Sequence, residues 1–100
     1  MNLLDLKRVT VVAEAVLEPY LVADVRRLGA KGYTVSGARG EGTRGQRRGE
    51  LEGGNIRLEV VVPKALAEAI LEHLSATYFE HYALIAYIDT VSVVRGEKYI

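Results

Sequence analysis

Between Lys7 and Ala15 apolar and polar positions alternate, Val9, Val11 and Ala13 on one side and Arg8, Thr10 and Glu14 on the other. A period of two is the signature of a strand with one buried face. Glu18-Pro19 then opens a helix, where the missing proline N–H costs nothing in the first turn. Leu17, Leu21, Val25 and Leu28 recur at helical spacing, and Gly29 or Gly32 supplies the stop. Tyr33 to Arg39 predicts a second strand running into a glycine-rich segment. Alternation resumes from Asn55 to Val62, with Ile56, Leu58, Val60 and Val62 on one face. Pro63 ends that strand and introduces a second helix, Lys64 to about Ala76, with Leu66, Ile70 and Leu74 as its apolar stripe. Tyr78, Phe79 and Tyr82 lead into a last strand from about Ala83 to Val94.

The order is β-α-β-loop-β-α-β. Two strand-helix-strand units with right-handed crossovers make an antiparallel sheet with both helices on one face, an α+β, ferredoxin-like β-α-β-β-α-β arrangement. The other face is left bare, although Val12, Val61, Tyr87 and Val91 fall on it. The six residues after Val94 are too few to cover it. A large bare apolar face marks an interface, and closed cyclic symmetry is the common way to bury one. We therefore expect one domain over residues 1–100, assembled as a homo-oligomer.

Composition changes the picture at one place. Half of the 100 residues are apolar (49%), there is no cysteine, and thirteen basic side chains balance thirteen acidic ones. The absence of cysteine excludes disulfide scaffolds and thiol chemistry. Balanced charge speaks against a general nucleic-acid binder. No apolar run approaches the ~20 residues of a membrane span, and the first residues lack signal-peptide order, so a cytoplasmic protein is expected. Yet seven of the ten glycines fall between Gly37 and Gly54, together with Arg39, Arg44, Arg47 and Arg48. That segment has only Ala38 and Leu51 to bury, too little apolar surface to offset its ordering entropy. It reads as a long exposed loop, locally positive in a neutral chain. Loops of this length in compact domains are usually functional or disordered.

The loop contains Gly40-Glu-Gly42-Thr-Arg-Gly45, a G-x-G-x-x-G match. The dinucleotide fingerprint needs a helix to start there, and Gln46-Arg-Arg-Gly49 is no helix start. A P-loop needs a following Gly-Lys-Ser/Thr, which is missing. What survives is the physics: glycines allow backbone N–H groups to converge on an anion, and arginines fork onto phosphate oxygens. Catalytic candidates are thin. His73 lies in the second helix, His81 follows beside Glu80, and Asp89 is isolated in a strand. Two histidines without a third ligand make no recognisable metal site, so we expect no enzyme, no catalytic residue and no metal.

The stretch Gly32-Tyr-Thr34-Val-Ser36-Gly-Ala-Arg39-Gly40-Glu-Gly42 resembles the second-strand signature of the nitrogen regulatory PII signal-transduction family. Asn55 to Val62 is similar to the family's third strand, and the likeness spans nearly the whole chain. It implies a homotrimer with adenine nucleotides in the clefts between subunits, and a T-loop at about residues 41–54. Three departures stand out. No tyrosine occurs in 41–54, where the family carries a modified one. The family's glutamine and lysine for Mg–ATP and 2-oxoglutarate align with Arg44 and Asn55. Its glycine-rich B-loop is replaced by Tyr78-Phe-Glu-His-Tyr82-Ala. These changes point away from 2-oxoglutarate sensing and toward the PII-like proteins of inorganic carbon uptake, the SbtB and carboxysome-associated type. Those share a similar segment, matched here by Gly40-Glu-Gly42-Thr43-Arg44-Gly-Gln-Arg47, and a similar run from Tyr78 to Tyr87. Their cysteine-bearing extension has no counterpart in the sequence as it reads to Ile100, so redox control through it is not expected.

By position, the resemblance implies that Thr34 contacts adenine and Val61 lines the base pocket. Gly40, Gly42 and Thr43 would face ribose and phosphate, with Arg44 and Arg47 gripping the phosphates. Ala83, Leu84 and Ile85 would border the pocket through their backbone, and Arg95 would reach a phosphate. The effector is then AMP, ADP, ATP or cyclic AMP, with bicarbonate as a further ligand and no required cofactor. The partner would be a bicarbonate transporter in the membrane or a carbon-metabolism protein, contacted through the T-loop. Two other readings are a nitrogen-type PII regulator and an RNA-binding module of the same strand order. The second lacks aromatic residues in Asn55 to Val62 for stacking bases.

Overall fold

A computed structural model of the chain describes residues 1–42, 45–46 and 54–100. Its elements are β1 (Leu3–Glu14), α1 (Glu18–Leu28), β2 (Thr34–Ala38), β3 (Glu41–Gly42), β4 (Gly45–Gln46), β5 (Asn55–Val62), α2 (Lys64–Thr77) and β6 (Ile85–Val94). Short 3-10 turns at Ala15–Leu17 and Gly96–Tyr99 complete the described chain. The main sheet has the order β2-β5-β1-β6, with antiparallel pairing throughout. Sequence neighbours β1 and β2 are thus separated by β5, as the two crossovers require. The expected ferredoxin-like arrangement is what forms.

Alternation places the core. Val9, Val11 and Ala13 of β1 and Ile56, Leu58, Val60 and Val62 of β5 are buried against Leu21 and Val25 of α1 and Ala67, Ile70 and Leu74 of α2. Leu17 is buried just before α1, so the apolar stripe read from the sequence extends from the 3-10 turn into the helix. α1 carries Pro19 in its first turn and ends at Gly29, whose φ of 124° is a left-handed-side conformation that glycine adopts without strain. Fully burying a Leu or Val side chain stabilises by about 1.5–3 kcal/mol, so this stripe-on-sheet contact holds the two layers together.

The elements differ from expectation in four places. β1 starts at Leu3, not Lys7, because it pairs with β6 down to Leu3–Val94; a run such as Leu-Leu-Asp-Leu does not alternate and hides that pairing. β6 starts at Ile85, two residues late, since Val12–Ile85 is its last pair with β1. Thr10, expected on the exposed side, is only 2% exposed, because it sits between Glu59 and Tyr87 in the middle of the sheet. The residues after Val94 do turn back onto β1: a Cβ on Gly96 would stand 2.6 Å from Leu4 Cβ. They reach one corner of the bare face and no more.

Part of the expected loop is ordered as well. Glu41 pairs with Gln46 and Gly42 with Gly45 in a small antiparallel ladder. Its expected members Thr43, Arg44, Arg47 and Arg48 lie outside the described residues.

Candidate functional site

Register defines the sheet face away from the helices row by row. Ser36, Arg57, Val12 and Ile85 form one row; Thr34, Glu59, Thr10 and Tyr87 the next; Val61, Arg8 and Asp89 the third. Leu6 with Val91 and Leu4 with Val93 follow. The face is apolar at its Leu4–Val93 end and carries Ser36 and Arg57 toward the other, and it keeps Ile85 and Tyr87 about half exposed. Its centre is a bidentate pair, Arg8 Nε to Asp89 Oδ1 at 3.1 Å and Nη2 to Oδ2 at 2.8 Å. The carboxylate, by its hydrogen bonds and its charge, raises the Arg8 pKa further. Planar fork-to-fork contact fixes β6 against β1 and neutralises both charges on the face.

The residues expected at the nucleotide site divide between two places. Thr34 and Val61 lie close together on β2 and β5, Thr34 exposed and Val61 half-buried. Gly40 and Gly42 follow β2 at the loop end of the sheet. Ala83 and Leu84, both half-buried, precede Ile85 on β6, the opposite edge strand. Three strand spacings, about 14 Å, separate those edges. Arg95 is farther still: it follows Val94, nine residues along β6 from Ile85, or about 30 Å of extended strand. Its φ of 60° is the sole positive value of a non-glycine residue among the described ones, and it starts the turn that docks Gly96 on Leu4. Within one chain the described members of the set do not converge.

Two features of the fold were not anticipated. Asp24 of α1 receives the hydroxyl of Tyr78, the guanidinium of Arg27 at 3.3 Å and the imidazole of His73, whose Nε2 lies 2.9 Å from Oδ2. That imidazole contact is close but falls short of hydrogen-bond geometry. Burial pushes the Asp24 carboxyl up, but the contacts from Tyr78, His73 and Arg27 outweigh it and hold the group below the ordinary aspartate range. Burial and the bond to Asp24 raise the Tyr78 phenol well above its usual value. The second feature is Asn55, the first residue of β5, which is 3% exposed with neither amide atom hydrogen-bonded among the described residues. The Asp24 cluster left no signal in the sequence, since its members are far apart in the chain; Asn55 read as the polar start of a strand. No group of three metal-ligating side chains occurs among the described residues. No helix there is long and apolar enough to cross a membrane.

Comparison with known proteins places this geometry. The family model described as nitrogen regulatory protein P-II matches residues 6–98. A PII-like signaling protein from Thermus thermophilus is 55% identical, each chain covering 100% of the other, with a TM-score of 0.87. CPII, a nitrogen regulatory PII-like protein from Thiomonas intermedia solved with ADP, AMP and bicarbonate, is 26% identical over 98% of this chain and 96% of its own, with a TM-score of 0.88. The Bacillus subtilis GlnK–ATP complex, 11% identical over 87% of this chain and 82% of its own, has a TM-score of 0.58 and shares the fold. With the strand order, the residues around Gly40 and the match over residues 6–98 in agreement, the chain belongs to the nitrogen regulatory protein P-II family, on its PII-like signaling side.

Proposed function

We propose that the protein is a non-enzymatic, homotrimeric sensor of adenyl nucleotides that reports to a partner through the T-loop at about residues 41–54. One subunit supplies Thr34, Val61, Gly40, Gly42, Thr43, Arg44 and Arg47. Ala83, Leu84 and Ile85 complete the cleft from the neighbouring copy, and Arg95, about 30 Å along the same strand, falls outside that cleft. The observation that carries this reading is the separation of Thr34 on one edge strand of the sheet from Ile85 on the other, a span that a second copy can close. The bare, half-apolar sheet face supports the same assembly.

AMP, ADP, ATP and cyclic AMP differ in how far their phosphates reach, so each holds Arg44 and Arg47 differently. Hydrogen bonds to charged groups contribute roughly 1.5–3 kcal/mol each, so two arginines supply ~3–6 kcal/mol. Ordering a backbone residue costs about 1–2 kcal/mol. A nucleotide thus orders a handful of loop residues, and a protein partner orders the rest. It shifts the loop only by its difference in affinity between loop states. CPII, solved with ADP, AMP and bicarbonate, supports bicarbonate as a second ligand. Inorganic carbon uptake or fixation is the setting such a ligand fits, with a bicarbonate transporter or a carbon-metabolism protein as the proposed partner.

Calorimetry with AMP, ADP, ATP and cyclic AMP tests the reading. At least one nucleotide is expected to bind, and Arg47→Ala is expected to weaken it by about tenfold or more, the loss of one charged hydrogen bond. No binding by any of the four, or unchanged affinity in the variant, overturns the proposal.

A further inference from the structure

We infer that Asp24 is a positioning residue for nucleotide binding: its carboxylate, on α1 and away from the cleft, holds in place the turn that presents Ala83, Leu84 and Ile85 to the neighbouring copy. This role rests on the adenyl-nucleotide reading above and adds to it a group remote from the ligand.

The connection from α2 to β6 has few other supports. Between Thr77 and Ile85 only Tyr78 is buried; Phe79 to Tyr82 are exposed, and Ala83 and Leu84 are half-buried. At its far end the sheet fixes the turn, through the Val12–Ile85 pair. At its near end Tyr78 continues α2, its N–H bonded to the Leu74 carbonyl at 2.9 Å. The Tyr78 phenol then donates across to Oδ2 of Asp24 on the other helix.

Hydrogen bonds run on from Tyr78 to the cleft wall. Its carbonyl accepts the N–H of His81 at 3.1 Å and of Tyr82 at 3.0 Å, and the Tyr82 carbonyl accepts the N–H of Leu84 at 3.1 Å. The Tyr78 ring also meets Tyr82 and His73 edge to face, with centroids 6.0 and 6.2 Å away. With its hydroxyl held and rings packed against it, Tyr78 cannot turn without dragging the following residues along.

Asp24 is itself held. Its Oδ1 accepts Arg27 Nη2 at 3.3 Å, and His73 Nε2 lies 2.9 Å from the same Oδ2 that takes the phenol. Apolar side chains would join the two helices at least as well as a carboxylate does. What the anion adds is direction, since the phenol is satisfied in one place only. The cluster thereby sets where the cleft wall starts, and the sheet sets where it ends.

The test measures ADP binding by calorimetry, and amide exchange of the ligand-free protein, in wild type, Tyr78→Phe, Asp24→Ala and the double variant. Val9→Ala serves as the control, because it deletes buried methyl groups from the core and touches neither cluster nor turn. Tyr78→Phe is expected to weaken ADP about threefold to tenfold, the range of one hydrogen bond. It is also expected to speed exchange at the Tyr82 and Leu84 N–H groups. Asp24→Ala is expected to weaken ADP at least as much, and the double variant no more than Asp24→Ala alone, since both changes break one bond. Val9→Ala is expected to melt lower with ADP affinity kept within about twofold. Unchanged affinity in both single variants, additive losses in the double variant, or unchanged exchange in the turn overturns the role. So does an equal loss in Val9→Ala, which would make the affinity a measure of stability alone. Each of those results leaves the nucleotide reading standing. Failure of wild type to bind ADP, AMP, ATP or cyclic AMP overturns that reading and this role together.

Discussion

Asp24 gathers contacts from both helices and from the turn after α2, so its loss spreads further than that of any other polar side chain described. Removing its charge by Asp24→Asn leaves Tyr78, Arg27 and His73 without their anion. The expected cost is about 1–3 kcal/mol, read as a lower urea midpoint at neutral pH. The pH dependence has a definite sign. Because the folded state depresses the Asp24 pKa, its stabilisation is complete above the unfolded aspartate range and disappears as pH falls through the lower folded value. Wild type should therefore converge on Asp24→Asn as the solution is acidified, and parallel curves would exclude the cluster as the cause. At this scale the sequence was legible only where chemistry coincides with periodicity. Val61 fell on its face by counting, whereas Asp24 and Tyr78 are fifty-four residues apart and meet only when α1 lies beside α2. Asn55 was visible as a polar strand start, but its burial depends on how Gly54 is pinned to Ala15.

Elements were far easier to read than contacts. Four main strands and two helices follow from periods of two and of about 3.6, because each presents one apolar face to one core. Ends were less legible where pairing, not pattern, decides them, as at Leu3 and Ile85. The turn over Gly96–Tyr99 was missed for a different reason: docking needs a glycine at a place where Leu4, ninety-two residues earlier, leaves no room. Gly96→Ala puts a methyl 2.6 Å from Leu4 Cβ, closer than real carbon contacts permit, so the turn must lift from β1. A destabilisation of about 1–3 kcal/mol is expected, with faster amide exchange confined to the turn and the first residues of β1. Uniformly faster exchange would show a general loosening instead.

As a whole molecule the chain presents a two-layer body whose second sheet face has a neutralised pair, Arg8–Asp89, at its centre and apolar side chains at its Leu4–Val93 end. A face of that composition suits burial by copies of itself, since the charges at its centre already satisfy one another. Tyr87 is half exposed in the middle of β6. A carboxylate there, Tyr87→Glu, would be forced against a neighbour's apolar surface, so the variant is expected to elute at the 11.0 kDa monomer mass while wild type elutes at about three times that. Equal masses for the two would place the interface elsewhere.

The Leu3–Val94 pair has a practical consequence. The first and last strands enter and leave the sheet at the end opposite Asn55 and the small Glu41–Gln46 ladder. A surface tether or fluorescent reporter attached beyond either strand therefore sits the full length of β1, about 40 Å for its twelve residues, from the loop stem. Immobilised in that way, the protein would hold its loop end outward, where a sensor chip can test the proposed partner contact.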